Sequence, residues 1–140
     1  MNLAMPMSRI DRQLRILVVD DFPEMRNGLL RTLSALGFKS VTAAEEALAA
    51  IRLIEECHEF DLIISDLNMP QMSGLELLNY VRNVDRLASI PFLMITAEAT
   101  KANVLAAAKA GVTDFIVKPF SVEQLVLKIE GLHRRENLTH

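Results

Sequence analysis

Three aspartates, one threonine and one lysine stand where short apolar runs of this chain give way to turn residues. Asp20 and Asp21 follow the run at 15–19, Asp66 the run at 60–65, Thr96 the run at 90–95 and Lys118 the run at 112–117. Each has a plain reading alone: Asp20-Asp21 can cap the helix that follows, Asp66 and Thr96 can form turns, and Lys118 can be a solvated charge. Together they suggest chemistry. Two carboxylates about 4 Å apart repel by about 4 kcal/mol at an effective dielectric of about 20, so three in one place need a counter-charge. A hard divalent cation takes oxygen ligands, and magnesium in particular is held by one or two carboxylates with waters and phosphate oxygens. Lysine offers a point positive charge and threonine a hydroxyl, the groups wanted around phosphoryl oxygens during transfer. The acceptor of such a group would be the ionised carboxylate of Asp66, as an aspartyl phosphate.

For these residues to meet, the runs before them must lie side by side and end at one edge. Residues 15–19 are apolar and β-branched, and Pro23 opens a helix whose Met25, Leu29, Leu33 and Leu36 recur at helical spacing until Gly37 stops it. A second strand is expected at 38–42, then an alanine-rich helix from about 44 to 57 with Ala47, Leu48, Ile51 and Ile54 or Glu55 marking its faces. Residues 60–65 read as a buried strand closed by the turn signals Pro70 and Gly74, and Leu75, Leu78 and Val81 mark a helix over 75–84. A fourth strand at 90–95, a small-residue helix at 101–110 stopped by Gly111, and a fifth strand at 112–117 follow. Val122, Leu125, Val126, Ile129 and Leu132 give the last helix its apolar face. Strands alternating with helices over short loops give right-handed crossovers and a parallel sheet covered on both faces. All strand carboxyl ends then share one edge, where such sheets bind ligands.

The chain has 140 residues, 51% of them hydrophobic, which suits one domain with a single core. Residues 14–134 are taken as that domain, 1–13 as a flexible extension and 135–140 as a polar tail; Met1, Met5 and Met7 leave the true start open. A net charge of -3 with interspersed signs lacks the basic stripe of a nucleic-acid binder. Cys57 is the only cysteine, which fits a reducing compartment, and no window approaches the roughly 18 apolar residues of a membrane span. A cytoplasmic protein is expected. His58, His133 and His140 lie at a helix end or in the tail and read as solvated rather than catalytic. The glycines stand too far apart to write a dinucleotide or nucleoside triphosphate loop through them.

In order, Val18-Val19-Asp20-Asp21, Asp66 with Met69-Pro70 and Gly74, Thr96-Ala97, and Lys118-Pro119-Phe120 resemble the response-regulator receiver family over about residues 14–133. Asp20-Asp21-Phe22, Met25-Arg26, Asn68-Met69-Pro70, Gly74-Leu75-Glu76-Leu77-Leu78 and Thr96-Ala97-Glu98-Ala99 are similar in particular to its single-domain chemotaxis regulators. The resemblance implies an α/β, flavodoxin-like doubly wound sheet of five parallel strands in order 2-1-3-4-5 with five helices. It implies a two-component signalling switch rather than an enzyme, in which Asp66 takes a phosphoryl group from a sensor histidine kinase and magnesium is required. Self-catalysed phosphorylation from small donors and autodephosphorylation belong to the same picture. Asp20, Asp21, Asp66 and the backbone carbonyl of Asn68 would hold Mg2+, while Thr96 and Lys118 would contact the phosphoryl oxygens. Phe115 would move between outward and inward positions as Thr96 closes on the phosphate, and Asn68 and Glu98 would tune the lifetime of the signal. The Lys118-Pro119 bond would be cis. The expected monomer would bind a downstream protein through helix four, strand five and helix five. That partner would be a flagellar motor component, or a histidine phosphotransfer protein if the chain is a phosphorelay intermediate.

Two positions depart from the chemotaxis pattern. Phe115 stands in place of a tyrosine, so an inward rotamer brings no hydroxyl, and the residue also reads as a plain core aromatic. The second helix opens with Ala43-Ala44-Glu45-Glu46, without the acidic-glycine turn of many receivers. A rival reading, a phosphatase with Asp66 as nucleophile, lacks a general acid, since Asn68 has no proton to give. A receiver fold used only as an interaction module sits poorly with a complete set of site residues.

Overall fold

Successive side chains of a strand enter opposite layers, and this alternation builds two cores on one sheet. The computed structural model describes residues 11–138, with side chains through residue 132. The order is β1 (Arg15–Val19), α1 (Pro23–Ala35), β2 (Ser40–Ala44), α2 (Ala47–Glu55), β3 (Leu62–Asp66), α3 (Gly74–Arg82), a 3-10 turn (Asp85–Leu87), β4 (Phe92–Thr96), α4 (Lys101–Ala110), β5 (Asp114–Val117) and α5 (Val122–Leu138). All pairings are parallel, and the strand order β2-β1-β3-β4-β5 is the one the resemblance implies. Ile16, Val18, Ile64, Leu93, Ile95 and Ile116 pack beneath Leu29 and Leu33 of α1 and Leu125, Val126 and Ile129 of α5. Their sequence neighbours Leu17, Val19, Ile63, Phe92 and Met94 face Ala47, Ala50 and Ile54 of α2 and Leu77, Leu78 and Val81 of α3. Full burial of β3 and β4 follows from helices on both faces.

Several boundaries differ from those expected. The second strand starts at Ser40 because Phe38 closes α1, its N–H donating to Leu33 O at 3.1 Å past Gly37 at φ 99°. Ala44 is then the last residue of β2, paired with Val19, so α2 begins only at Ala47. Ala50 rather than Leu48 joins the buried face, leaving Leu48 exposed. The third, fourth and fifth strands start at Leu62, Phe92 and Asp114. Val112 instead finishes α4, its N–H on Ala107 O at 3.0 Å after Gly111 at φ 89°. Val122 opens α5 but stays exposed.

The α5 backbone stays helical to Leu138, taking in residues 135–138 of the expected tail. Of the expected flexible extension, Met1 to Ile10 lie outside the described residues, as do Thr139 and His140 of the tail. Asp11 to Gln13 form a turn, with Leu14 N–H on Asp11 O and Arg12 Nε on Leu36 O at 3.2 Å. At the far end of α2, Cys57 takes a left-handed φ of 66° and, with His58, closes the helix onto Ile54 O and Leu53 O. Among the described residues no helix is long and apolar enough to cross a membrane.

Candidate functional site

The strand register brings the chemistry-bearing residues to one edge. Val19 lies beside Ser65, Asp66 beside Ile95 and Thr96 beside Val117, so Asp20, Asp66, Thr96 and Lys118 end four adjacent strands. One carboxylate oxygen each from Asp20, Asp21 and Asp66 lies within 4.8 Å of the others. Lys118 Nζ stands 3.3 Å from Asp66 Oδ1 and 3.9 Å from Asp20 Oδ2. Asp20, Asp66 and Thr96 are buried, and Asp21 is exposed.

The plain alternatives can now be weighed. Neither Asp20 nor Asp21 caps α1, whose N-cap is Phe22 without a side-chain bond. Asp20 Oδ1 accepts the Phe22 N–H at 2.9 Å, while the buried Oδ2 has no hydrogen-bond partner among the described residues. Lys118 is no solvated charge. Thr96 does form a turn, its Oγ1 accepting the Glu98 N–H at 2.9 Å. Asn68 and Glu98 are exposed in the loops after β3 and β4, and Phe115 is half-buried against the α3-side core. Among the described residues no side-chain hydrogen bond joins Asn68, Glu98 or Phe115 to the carboxylates. The Lys118-Pro119 bond is cis.

Burial pushes both the Asp20 and the Asp66 carboxyl above the usual carboxylate range. The Phe22 N–H and Lys118 act against this at Asp20, as Lys118 and the Leu67 N–H do at Asp66, but desolvation with the neighbouring carboxylates outweighs them. A small divalent cation fits these residues: the donors are all oxygens, one buried oxygen accepts no hydrogen bond among the described residues, and the exposed Asp21 leaves a side for water.

The backbone beneath the cluster is pinned. Arg26 Nη1 donates to Asp20 O at 2.9 Å, and the buried Ser65 Oγ donates to Asp66 O at 3.0 Å. Gly74 presses on the same carbonyl: a Cβ there would sit 2.2 Å from Asp66 O and 2.9 Å from Met94 Sδ. Sequence reading took Gly74 as a turn signal and missed this contact. It also missed the capping box in which Ser73 Oγ and Glu76 close the start of α3, although the Ser-x-x-Glu spacing was there to see.

A parallel sheet whose carboxyl edge gathers three aspartates and a lysine is the framework of a receiver domain. The model of the response regulator receiver domain matches residues 16–130, and the chain belongs to that family. It is 40% identical over 124 residues to the chemotaxis protein CheY of Pseudomonas aeruginosa, covering 89% of this chain and 99% of that one. Against the chemotaxis protein CheY-3 of Vibrio cholerae it is 38% identical over 126 residues, 90% of this chain and 96% of the other. Among solved structures, Vibrio cholerae CheY4 crystallized at low pH matches with a TM-score of 0.81 at 32% identity, over 86% of this chain and 98% of that one.

Proposed function

We propose that this receiver is a cytoplasmic, monomeric response regulator that accepts a phosphoryl group on Asp66 from a phosphohistidine of a sensor histidine kinase, with Mg2+ required. The observation that carries the reading is the meeting of Asp20, Asp21 and Asp66 oxygens within 4.8 Å, with the Lys118 ammonium 3.3 Å from Asp66 Oδ1. An Asp66 carboxylate oxygen attacks phosphorus as the bond from phosphorus to the donor nitrogen breaks, and the imidazole leaves with the electron pair. Magnesium held by Asp20, Asp21, Asp66 and the Asn68 carbonyl would supply positive charge against the phosphoryl oxygens. Lys118 follows the charge from carboxylate to phosphoryl oxygen, and Thr96 turns its hydroxyl proton toward the same group. Phe115 moves inward as Thr96 does, while Asn68 and Glu98 at the rim govern the approach of the water that ends the signal.

Output runs through α4, β5 and α5, a reading supported by exposed Val104, Leu105, Val117 and Leu127 on those elements. A motor-type chemotaxis partner is the reading that the relatives' names favour. The test is incubation with acetyl phosphate and MgCl2. Hydroxylamine-labile phosphate approaching one per chain is expected, lost in Asp66→Asn and on chelation with EDTA. A wild-type protein that takes no label refutes the proposal, and sustained turnover of a phosphoester would replace it with a phosphatase.

A further inference from the structure

We infer that Asn103 is a positioning residue that ties the Thr96 turn to the first turn of α4 and thereby restrains the response of Asp66 to a phosphoryl group. The inference rests on the function proposed above. Three hydrogen bonds carry it. Glu98 N–H donates to Thr96 Oγ1 at 2.9 Å, Asn103 Nδ2 donates to Glu98 O at 2.8 Å, and Asn103 N–H donates to Thr100 Oγ1, the N-cap of α4, at 3.1 Å. One residue, Glu98, is thus held on its N–H by the site threonine and on its carbonyl by the helix.

A hydroxyl has one proton and two lone pairs, and here a lone pair of Thr96 receives the Glu98 N–H. The proton remains for a phosphoryl oxygen. Drawing Oγ1 toward Asp66 makes the Glu98 backbone follow or gives up its bond to Thr96. The Asn103 amide, gripping the other side of that residue, resists the first and so leaves the loss of a hydrogen bond as the cost of closing. Val104 and Leu105, next along α4, are exposed, so a shift of this turn changes an apolar surface. Removing the Asn103 donor releases an interaction made in the unphosphorylated arrangement, which raises the share of protein able to close and with it the apparent affinity for a phosphoryl group.

Asn103→Ala and Asn103→Asp separate this role from simple helix support. Aspartate in the first turn favours the amino-terminal end of α4 yet has no proton to give Glu98 O. The probe is beryllium fluoride with MgCl2, a phosphoryl mimic, titrated while amide hydrogen exchange of residues 97–103 is followed. Both variants are expected to exchange the Glu98 amide about fivefold faster without ligand and to bind beryllium fluoride about fivefold more tightly than wild type, the scale of one lost hydrogen bond. An Asn103→Asp protein that behaves as wild type while Asn103→Ala does not overturns the inference in favour of helix support. Faster exchange with unchanged binding overturns the coupling. Wild-type protein that binds no beryllium fluoride overturns the reading of Asp66 itself, an outcome distinct from a wild-type response that both variants share unchanged.

Discussion

Asp20 keeps a carboxylate oxygen buried without a hydrogen bond beside two further acids, with only the Lys118 ammonium 3.9 Å away to offset them, an arrangement that works against folding. Because the Asp20 and Asp66 carboxyls both sit above their usual range, folding of the metal-free chain disfavours the charged form at each. Asp20→Asn and Asp66→Asn are therefore expected to stabilise the metal-free protein at neutral pH and to raise its melting temperature. Magnesium at about a hundredfold its dissociation constant should stabilise the wild-type protein by about 2.7 kcal/mol, raising its melting temperature, and barely move Asp20→Asn. Scanning calorimetry with and without MgCl2 reads both effects, and a destabilised Asp20→Asn protein would contradict the assignment. At this scale the sequence was informative for acids and lysine, because a charge at the end of an apolar run has few uses. It was uninformative for Ser65 and Asn103, whose significance lies in which carbonyl each one reaches.

Gly74 shows how an element, and not only a residue, aims the site. Its α-carbon begins α3 against the carbonyl of Asp66, so the helix can approach the end of β3 only where no side chain intervenes. Gly74→Ala is expected to cost about 3 kcal/mol, since backbone rather than a flexible side-chain tip must move. It should also slow labelling by acetyl phosphate. Gly28→Ala, in α1 where an added methyl meets nothing within 4 Å, is the control and should gain about 0.5–1 kcal/mol. Urea unfolding compares the two, and equal midpoints would sink the close-approach argument. The elements themselves were legible because burial on both faces leaves unbroken apolar runs such as Leu62-Ile63-Ile64. Their ends were not: Phe38 and Val112 look like strand residues, yet their N–H groups return to the preceding helix, a matter of hydrogen-bond partners that hydrophobic pattern does not encode.

Across the whole molecule, acid acts in opposite directions at the two poles of the sheet. At the amino-terminal edge Arg15 bonds Asp61 at 2.9 and 3.0 Å and holds its carboxyl below the usual range, so this contribution is full above about pH 4 and fades as pH falls through the lowered value. At the carboxyl edge Asp20 and Asp66 titrate above the usual range, so stability is gained as pH falls from neutral through their raised values and levels off near pH 4. The metal-free protein is therefore expected to be most stable on the acid side of neutrality and to weaken below about pH 4. Denaturation midpoints measured across pH check this, and the rise should flatten in a protein carrying both Asp20→Asn and Asp66→Asn. The parallel run of all five strands, legible in the alternation of strand and helix, sets these poles apart; the strand order was carried over from the family resemblance, and no single segment of the sequence contains it.

The left-handed turn at Cys57 has a practical outcome for anyone labelling this protein. Glycine occupies such a backbone conformation without penalty, so Cys57→Gly removes the sole thiol and is expected to retain full stability or improve on it by about 0.5 kcal/mol. A cysteine-free background then accepts one new thiol at any chosen site. In a chain with no tryptophan, a fluorophore placed on α4 offers an optical test of whether that helix shifts as proposed.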